Sequence, residues 1–228
     1  MKKRLLFANV LLALVLAALL IPSTAAAFTG SLTSPIGITG TGAWILTGPT
    51  TIEWTVTPVG YYWHYHYELT HPLGNTSHFI FEVSPTFVLT DMWGWSGDIK
   101  TVDGGPFLQD WTSQQGNPGM PGTLHGVKFN ASGTTTNSIY DFYSSRMPVW
   151  GDFYAKDGDS GQQGTDTAWN AGFTDDDADP DAPAADGSID YHILVPDTLT
   201  SVPEPGTVLL LGVGLLGGEL VRRRRKRG

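Results

Sequence analysis

The last 27 residues constrain this chain more than any other stretch, because three segments with different physics follow one another there in fixed order. Val202, Pro203, Glu204 and Pro205 come first. Two prolines around one glutamate favour an extended, solvated turn, since proline fixes φ and removes a backbone donor. An apolar run follows from Gly206 to Val221, built on Leu, Val and Gly (Leu210 and Leu215 among them), with Glu219 as its one charge. As a helix its 16 residues would span about 24 Å, against a hydrocarbon core of about 30 Å. Snorkelling arginine stems and local bilayer thinning make up that shortfall. Arg222, Arg223, Arg224, Arg225, Lys226 and Arg227 then act as a stop-transfer cluster and hold this end in the cytoplasm. The expectation is a membrane anchor, with everything ahead of Val202 on the far side of that membrane.

The order of these parts resembles the PEP-CTERM sorting signal of exported Gram-negative bacterial proteins. The resemblance rests on Pro203-Glu204-Pro205, the Leu/Gly-rich run and the arginine cluster, about a tenth of the chain. It implies that an exosortase, a membrane transpeptidase-like enzyme, recognises and cleaves the tail. Glu219 departs from the pattern; at helical spacing it would pair with Arg222 or Arg223. The plainer alternative is a C-terminal anchor in which Pro-Glu-Pro is incidental.

The other end agrees. Lys2, Lys3 and Arg4 precede an apolar run from Leu5 to Ile21, Pro22 breaks it, and Ala25-Ala26-Ala27 offers a small-residue cleavage site. This reads as a signal peptide over residues 1–27 for the Sec machinery, cut by signal peptidase before Phe28. An exported domain over 28–201 then remains, long enough to bury a sizeable core. Nine of the 13 basic residues sit in the two ends, so the domain sets 20 acids against Lys100, Lys128, Arg146 and Lys156, a net charge near −16. Such a surface excludes nucleic acid as a partner and attracts cations. With no cysteine, the domain relies on its core or on bound ions rather than on disulfides.

Within the domain, short β-prone segments alternate with Gly/Pro turns. Ile36–Ile38, Trp44–Leu46 and Thr51–Val56 read as strands. Tyr61 to Glu68 alternates with period two, with Tyr61, Trp63, Tyr65 and Tyr67 on one face and Tyr62, His64, His66 and Glu68 on the other. Ser77–Val83 reads as its hairpin partner, and Thr86–Leu89 as an extension of that sheet. The pattern loosens from Asp91 to Gly122. Thr123–Asn130 and Thr136–Tyr143 read as a second hairpin, Met147–Ala155 as one strand, Asp175–Ser188 as an acidic loop and Ile189–Val195 as the last strand. No segment shows a sustained helical period. The fold class expected is all-β, a jelly-roll-like β-sandwich, with a barrel as the alternative.

Tyr62–Glu68, Ser77-His78-Phe79, Pro148–Gly158 and Ala168–Phe173 are similar to the ectodomain of one family of PEP-CTERM proteins. That likeness implies a shared β-rich domain and carries no catalytic residue across.

Three constellations bear on ligands. His64, His66 and Glu68 project from one strand face at a spacing that suits a divalent metal, although a polar outer face accounts for the same alternation. Asp175, Asp177, Asp179 and Asp181 alternate along the acidic loop and could supply oxygens to Ca2+, although a solvated acidic loop accounts for them better. Asp157-Gly158-Asp159-Ser160-Gly161 is a weaker loop of the same kind. Trp93 and Trp95, flanked by Asp91 and Asp98, form the best candidate for stacking on sugar rings, although aromatic residues build β cores as readily. No Gly-x-Ser-x-Gly turn and no His-Glu-x-x-His helix occurs. The function expected is that of a non-enzymatic exported protein, anchored at the inner membrane and then processed by exosortase to the cell envelope or extracellular matrix. A polysaccharide-binding module and a metal-dependent enzyme at His64, His66 and Glu68 are the two alternatives.

Overall fold

Alternation along Tyr62–Thr70 (β4) puts Tyr65, Tyr67 and Leu69 fully inside and His64, His66 and Glu68 on the outer face. The computed structural model describes residues 26–100, 105–131, 136–158, 165–175 and 178–198. The expected signal peptide, save its last two residues, and the sorting tail both lie outside them. No helix among the described residues is long and apolar enough to cross a membrane.

β4 lies at the centre of a five-stranded antiparallel sheet. On one side it pairs with Thr51–Val59 (β3) through a tight turn at Gly60-Tyr61, where Gly60 takes a left-handed φ of 63°. Phe28–Thr33 (β1) extends that side. On the other side stand Asn137–Ser144 (β9) and then Met92–Gly97 (β6). A second, six-stranded antiparallel sheet runs in the order Ile38–Thr41 (β2), Thr167–Asn170 (β12), Phe153–Asp157 (β11), Thr76–Glu82 (β5), Leu124–Asn130 (β8) and Phe107–Trp111 (β7). Met147–Gly151 (β10) and Ile193–Thr198 (β13) make a separate two-stranded ribbon.

The inner faces of the two large sheets share one aromatic core. Phe142 of the first sheet stacks on Phe81 of the second at 5.1 Å, and Tyr140 stacks on Phe79 at 4.7 Å. Offset stacks of this kind add to the large area each ring buries. Two core phenols are satisfied by backbone: Tyr65 donates to the Arg146 carbonyl at 3.0 Å and Tyr67 to that of Leu194 at 2.8 Å. Burial pushes the Tyr67 hydroxyl well above its usual pKa.

Both expected hairpins are instead crossings between sheets. β4 belongs to the first sheet and β5 to the second, and β8 and β9 are likewise divided. Alternation tells which face a side chain occupies and is silent on which strand lies beside it. The β4–β5 crossing is built at His71. Its ring stacks on Trp44 at 4.0 Å, its Nδ1–H donates to the Leu73 carbonyl and its Nε2 accepts from Thr76. Burial lowers the His71 pKa, which suits a neutral ring with one donor and one acceptor. Trp44 also donates to Leu73, and the segment read as a strand at Trp44–Leu46 is a single helical turn, Ala43–Leu46 (α1). Leu89–Asp91 is a 3-10 turn rather than sheet. The strand expected over Met147–Ala155 divides at Asp152 into β10 and β11, which join different sheets.

The outer faces of the two sheets differ. That of the second sheet is covered: Ile80, Tyr154, Leu124, Trp111, Met120 and Phe173 form a second buried cluster beneath the segment after β7. His78, 4 % exposed, donates there from Nε2 to Asn117 at 2.9 Å. Burial, with Lys128 and Lys156 nearby, drives its pKa down to about 3. The outer face of the first sheet carries the His64/His66 row and stays partly open.

Candidate functional site

On the open face of the first sheet, β4 and β9 register His66 opposite Asp141 and His64 opposite Tyr143. His66 Nδ1 donates to Asp141 Oδ1 at 2.9 Å, and His64 Nε2 donates to the same oxygen at 3.1 Å. Glu68, expected beside them, lies farther along the strand and accepts from Asn137 at 2.6 Å. These are direct hydrogen bonds on a face where both imidazoles are about one-third exposed.

The same face carries an aromatic row. Tyr143 lies 4.9 Å from the His64 ring, Trp93 stacks on Tyr143 at 6.4 Å, and Tyr62 meets Trp93 edge-on at 4.8 Å. Trp93 and Trp95 were expected to act together, and a β-bulge separates them. The β6–β9 register shifts between Trp93 and Ser96, and Gly94 is left-handed with φ 64°. A Cβ at Gly94 would sit 3.2 Å from Tyr143. Trp95 consequently packs against the core. The flanking acids have structural partners: Asp91 pairs with Arg146 at 2.7 Å, and Asp98 accepts from the Ile139 amide at 2.9 Å.

A second cluster forms where the β10–β13 ribbon meets the second sheet. Asp152, at the break between β10 and β11, accepts from Asn170 at 2.5 Å, while its amide donates to Glu82 at 3.0 Å. Asn170 in turn accepts from the Phe153 amide at 2.9 Å, which fixes the orientation of its amide group. His192, just ahead of β13, is 3 % exposed. Asp190 and Tyr191 before it both take left-handed φ, 46° and 63°, an uncommon pair for residues with a Cβ. Nδ1 of His192 lies 3.2 Å from the Ile189 carbonyl. A carbonyl only accepts, so this nitrogen carries a proton and leaves Nε2 as the ring's other polar atom. That nitrogen lies 3.5 Å from Asp152 Oδ1 and 3.9 Å from Asp179 Oδ1. Gly172 makes room: a Cβ there would come within 2.6 Å of the His192 ring and 2.5 Å of the Asp190 carbonyl.

The ligand atoms of Asp152, Asp179 and His192 lie within 4.8 Å of one another, the one such set among the described residues. They adjoin a polar cavity of about 100 Å³ whose wall includes Glu82, Asp175 and Thr123. Of the expected acidic series, Asp179 enters this cluster, Asp175 lines the cavity, Asp181 is exposed and Asp177 lies outside the described residues. Asp157, of the weaker loop, accepts from the Asp166 amide, and residues 159–161 lie outside the described residues.

The sequence placed neither Asp152 nor His192 in this cluster. Asp152 left one trace, a polar residue interrupting the apolar run from Met147 to Ala155. His192 left none, since the backbone reversal at Asp190-Tyr191 aims it.

Residues 201–226 match a family model described as the PEP-CTERM protein-sorting motif. Among curated proteins and solved structures, none matches the chain.

Proposed function

From the PEP-CTERM protein-sorting motif that the chain carries at residues 201–226, we propose that this is a non-enzymatic exported protein whose domain is cargo for an exosortase. In this reading the jelly-roll-like β-sandwich crosses the inner membrane, is held there by the apolar run Gly206–Val221, and is cut near Pro203-Glu204-Pro205. It then passes to the cell envelope or extracellular matrix. The single observation behind it is the motif. A second feature suits it: β13 ends at Thr198, three residues ahead of the matched segment, so a cut within the motif removes none of the described strands. Deleting Pro203 to Pro205 should leave a larger, unprocessed species in the inner-membrane fraction. Processing at the normal rate and size would overturn the reading.

The aromatic row on the first sheet favours a second, compatible role in binding extracellular polysaccharide. Tyr62, Trp93 and Tyr143 offer ring faces and edges beside the polar edge of His64, Asp141 and His66, the combination that sugar rings engage. Trp93→Ala should weaken retention on matrix polysaccharide about tenfold, or roughly 1.4 kcal/mol. Equal retention of wild type and variant would remove this role.

A further inference from the structure

We propose that the end of the domain from which the sorting tail leaves is a membrane-facing surface, seated in the headgroup region of the bilayer while the chain is anchored; this rests on the anchored precursor of the preceding reading. Strand ends define the place. β4 begins and β9 ends there, with Trp63 opposite Ser144, and β6 begins on the other side of β9, with Met92 opposite the same residue. Two loops therefore reach past the sheet on either side of the end of β9. One is the β3–β4 turn with Val59, Tyr61 and Tyr62, and the other is the segment ahead of β6 with Val88 and Leu89. Backbone fastens the second loop: the Ser145 amide donates to the Asp91 carbonyl at 3.0 Å, and the Asp91 amide to that of Val88 at 2.8 Å. β10 starts close by, where Met147 pairs with Thr198, the last residue of β13. The tail thus departs from this end.

Exposure marks the same end. Ten large apolar side chains are exposed among the described residues, and five of them, Val59, Tyr61, Tyr62, Val88 and Leu89, are gathered here. Tyr61, at the tip of the turn, is 83 % exposed. Scattered singly, such residues are ordinary, whereas a patch drawn from two loops marks a contact surface. Charge agrees. Residues 57–63, 86–93 and 144–149 contain one acid, Asp91, and one base, Arg146, and these two pair with each other at 2.7 Å. In a domain that sets 20 acids against four bases, these segments make a neutral, apolar facet.

The length of the tether selects the occupant. Seven residues, 199–205, separate Thr198 from the apolar run, and they span at most about 25 Å when fully extended. A domain of this size is about 40 Å across. The opposite end, with the β4–β5 corner at Leu73, therefore cannot swing round to the bilayer, and the exit end is the one held against it. A tether this short makes the contact intramolecular, so modest insertion of a few side chains suffices. Tyrosine suits that depth, with its ring at the apolar boundary and its hydroxyl among headgroups. A facet without net charge also avoids the repulsion that an acidic surface meets at anionic lipid.

The test exploits the lack of cysteine in the chain. The full chain is expressed without exosortase, purified in detergent and reconstituted in phosphatidylcholine nanodiscs that contain a headgroup nitroxide lipid. A fluorescent label on Tyr61→Cys should lose most of its emission to the nitroxide, while one on Leu73→Cys should keep it. Adding Val59→Glu and Val88→Glu, both at exposed positions where folding should survive, should restore the emission of the Tyr61→Cys label. A chain that fails to co-purify with the discs would sink the anchored precursor and this proposal with it. In a chain that does co-purify, equal quenching of the two labels, or quenching at Tyr61→Cys untouched by the glutamates, would overturn the proposal and leave the anchoring intact.

Discussion

Two clusters in this domain use the same side chains and arrive at different geometries. On the open face of the first sheet, Asp141 draws His64 and His66 to hydrogen-bond length on a partly solvated surface. In the second cluster Asp152, Asp179 and His192 are held apart by backbone, at 3.5 and 3.9 Å, beside a polar cavity. Strand pleating produces the first: neighbouring strands at fixed register bring facing residues together and leave them to pair. The second depends on a strand break, a left-handed reversal and a glycine, none of which pleating supplies. Residue type therefore does not separate an open polar surface from a buried polar cluster; the stiffness and burial of what holds each group does.

The comparison can be broken at its strongest point. Asp152→Ala should destabilise the domain by about 3–5 kcal/mol in chemical denaturation, because it strips a buried carboxylate from Asn170 and His192. A cost near that of a surface substitution would mean the second cluster is no stiffer than the first. Another histidine then calibrates burial. His78 is held neutral to about pH 3, whereas in the unfolded chain it protonates near 6.5. Below that pH the unfolded state binds the extra proton, so His78 lowers stability as pH falls from 6.5 toward 3, by about 2 kcal/mol at pH 5. His78→Asn should flatten that part of the pH profile, and an unchanged slope would assign it to other groups. The smallest effect belongs to the open face: Asp141→Asn should cost about 0–1 kcal/mol, as exposed ion pairs do. A loss of several kcal/mol would show that the His64/His66 row is structural rather than decorative.

Much of the first sheet was legible before any coordinates. The period-two alternation from Tyr61 to Glu68 assigned His64 and His66 to the outside and Tyr65 and Tyr67 to the core, because two-fold pleating leaves no other arrangement. Pairing was not legible. β5 and β8 are sequence neighbours of β4 and β9, yet they lie in the other sheet, and nothing in the strand pattern announces the corner at His71 that turns the chain there. The sorting tail was read from charge, length and Pro-Glu-Pro, all local properties. The second cluster was read by one-third: the density of aspartates pointed to Asp179, while Asp152 and His192 arrive from 27 residues earlier and 13 later. Trp93 and Trp95 show the same limit, since one bulge at Gly94 sends them to opposite sides.

The stitch between β1 and the acidic loop has a bearing on the order of events during export. The Thr29 amide donates to Asp186 at 2.9 Å across a separation of 157 residues, and Gly187 donates to the Thr29 carbonyl at 2.7 Å. Contacts this distant in sequence close late and slowly. On the proposed export, a chain threaded amino end first would deliver its earliest strand to the far side long before the residues that fasten it, and the domain would lock only when almost its whole length had passed through.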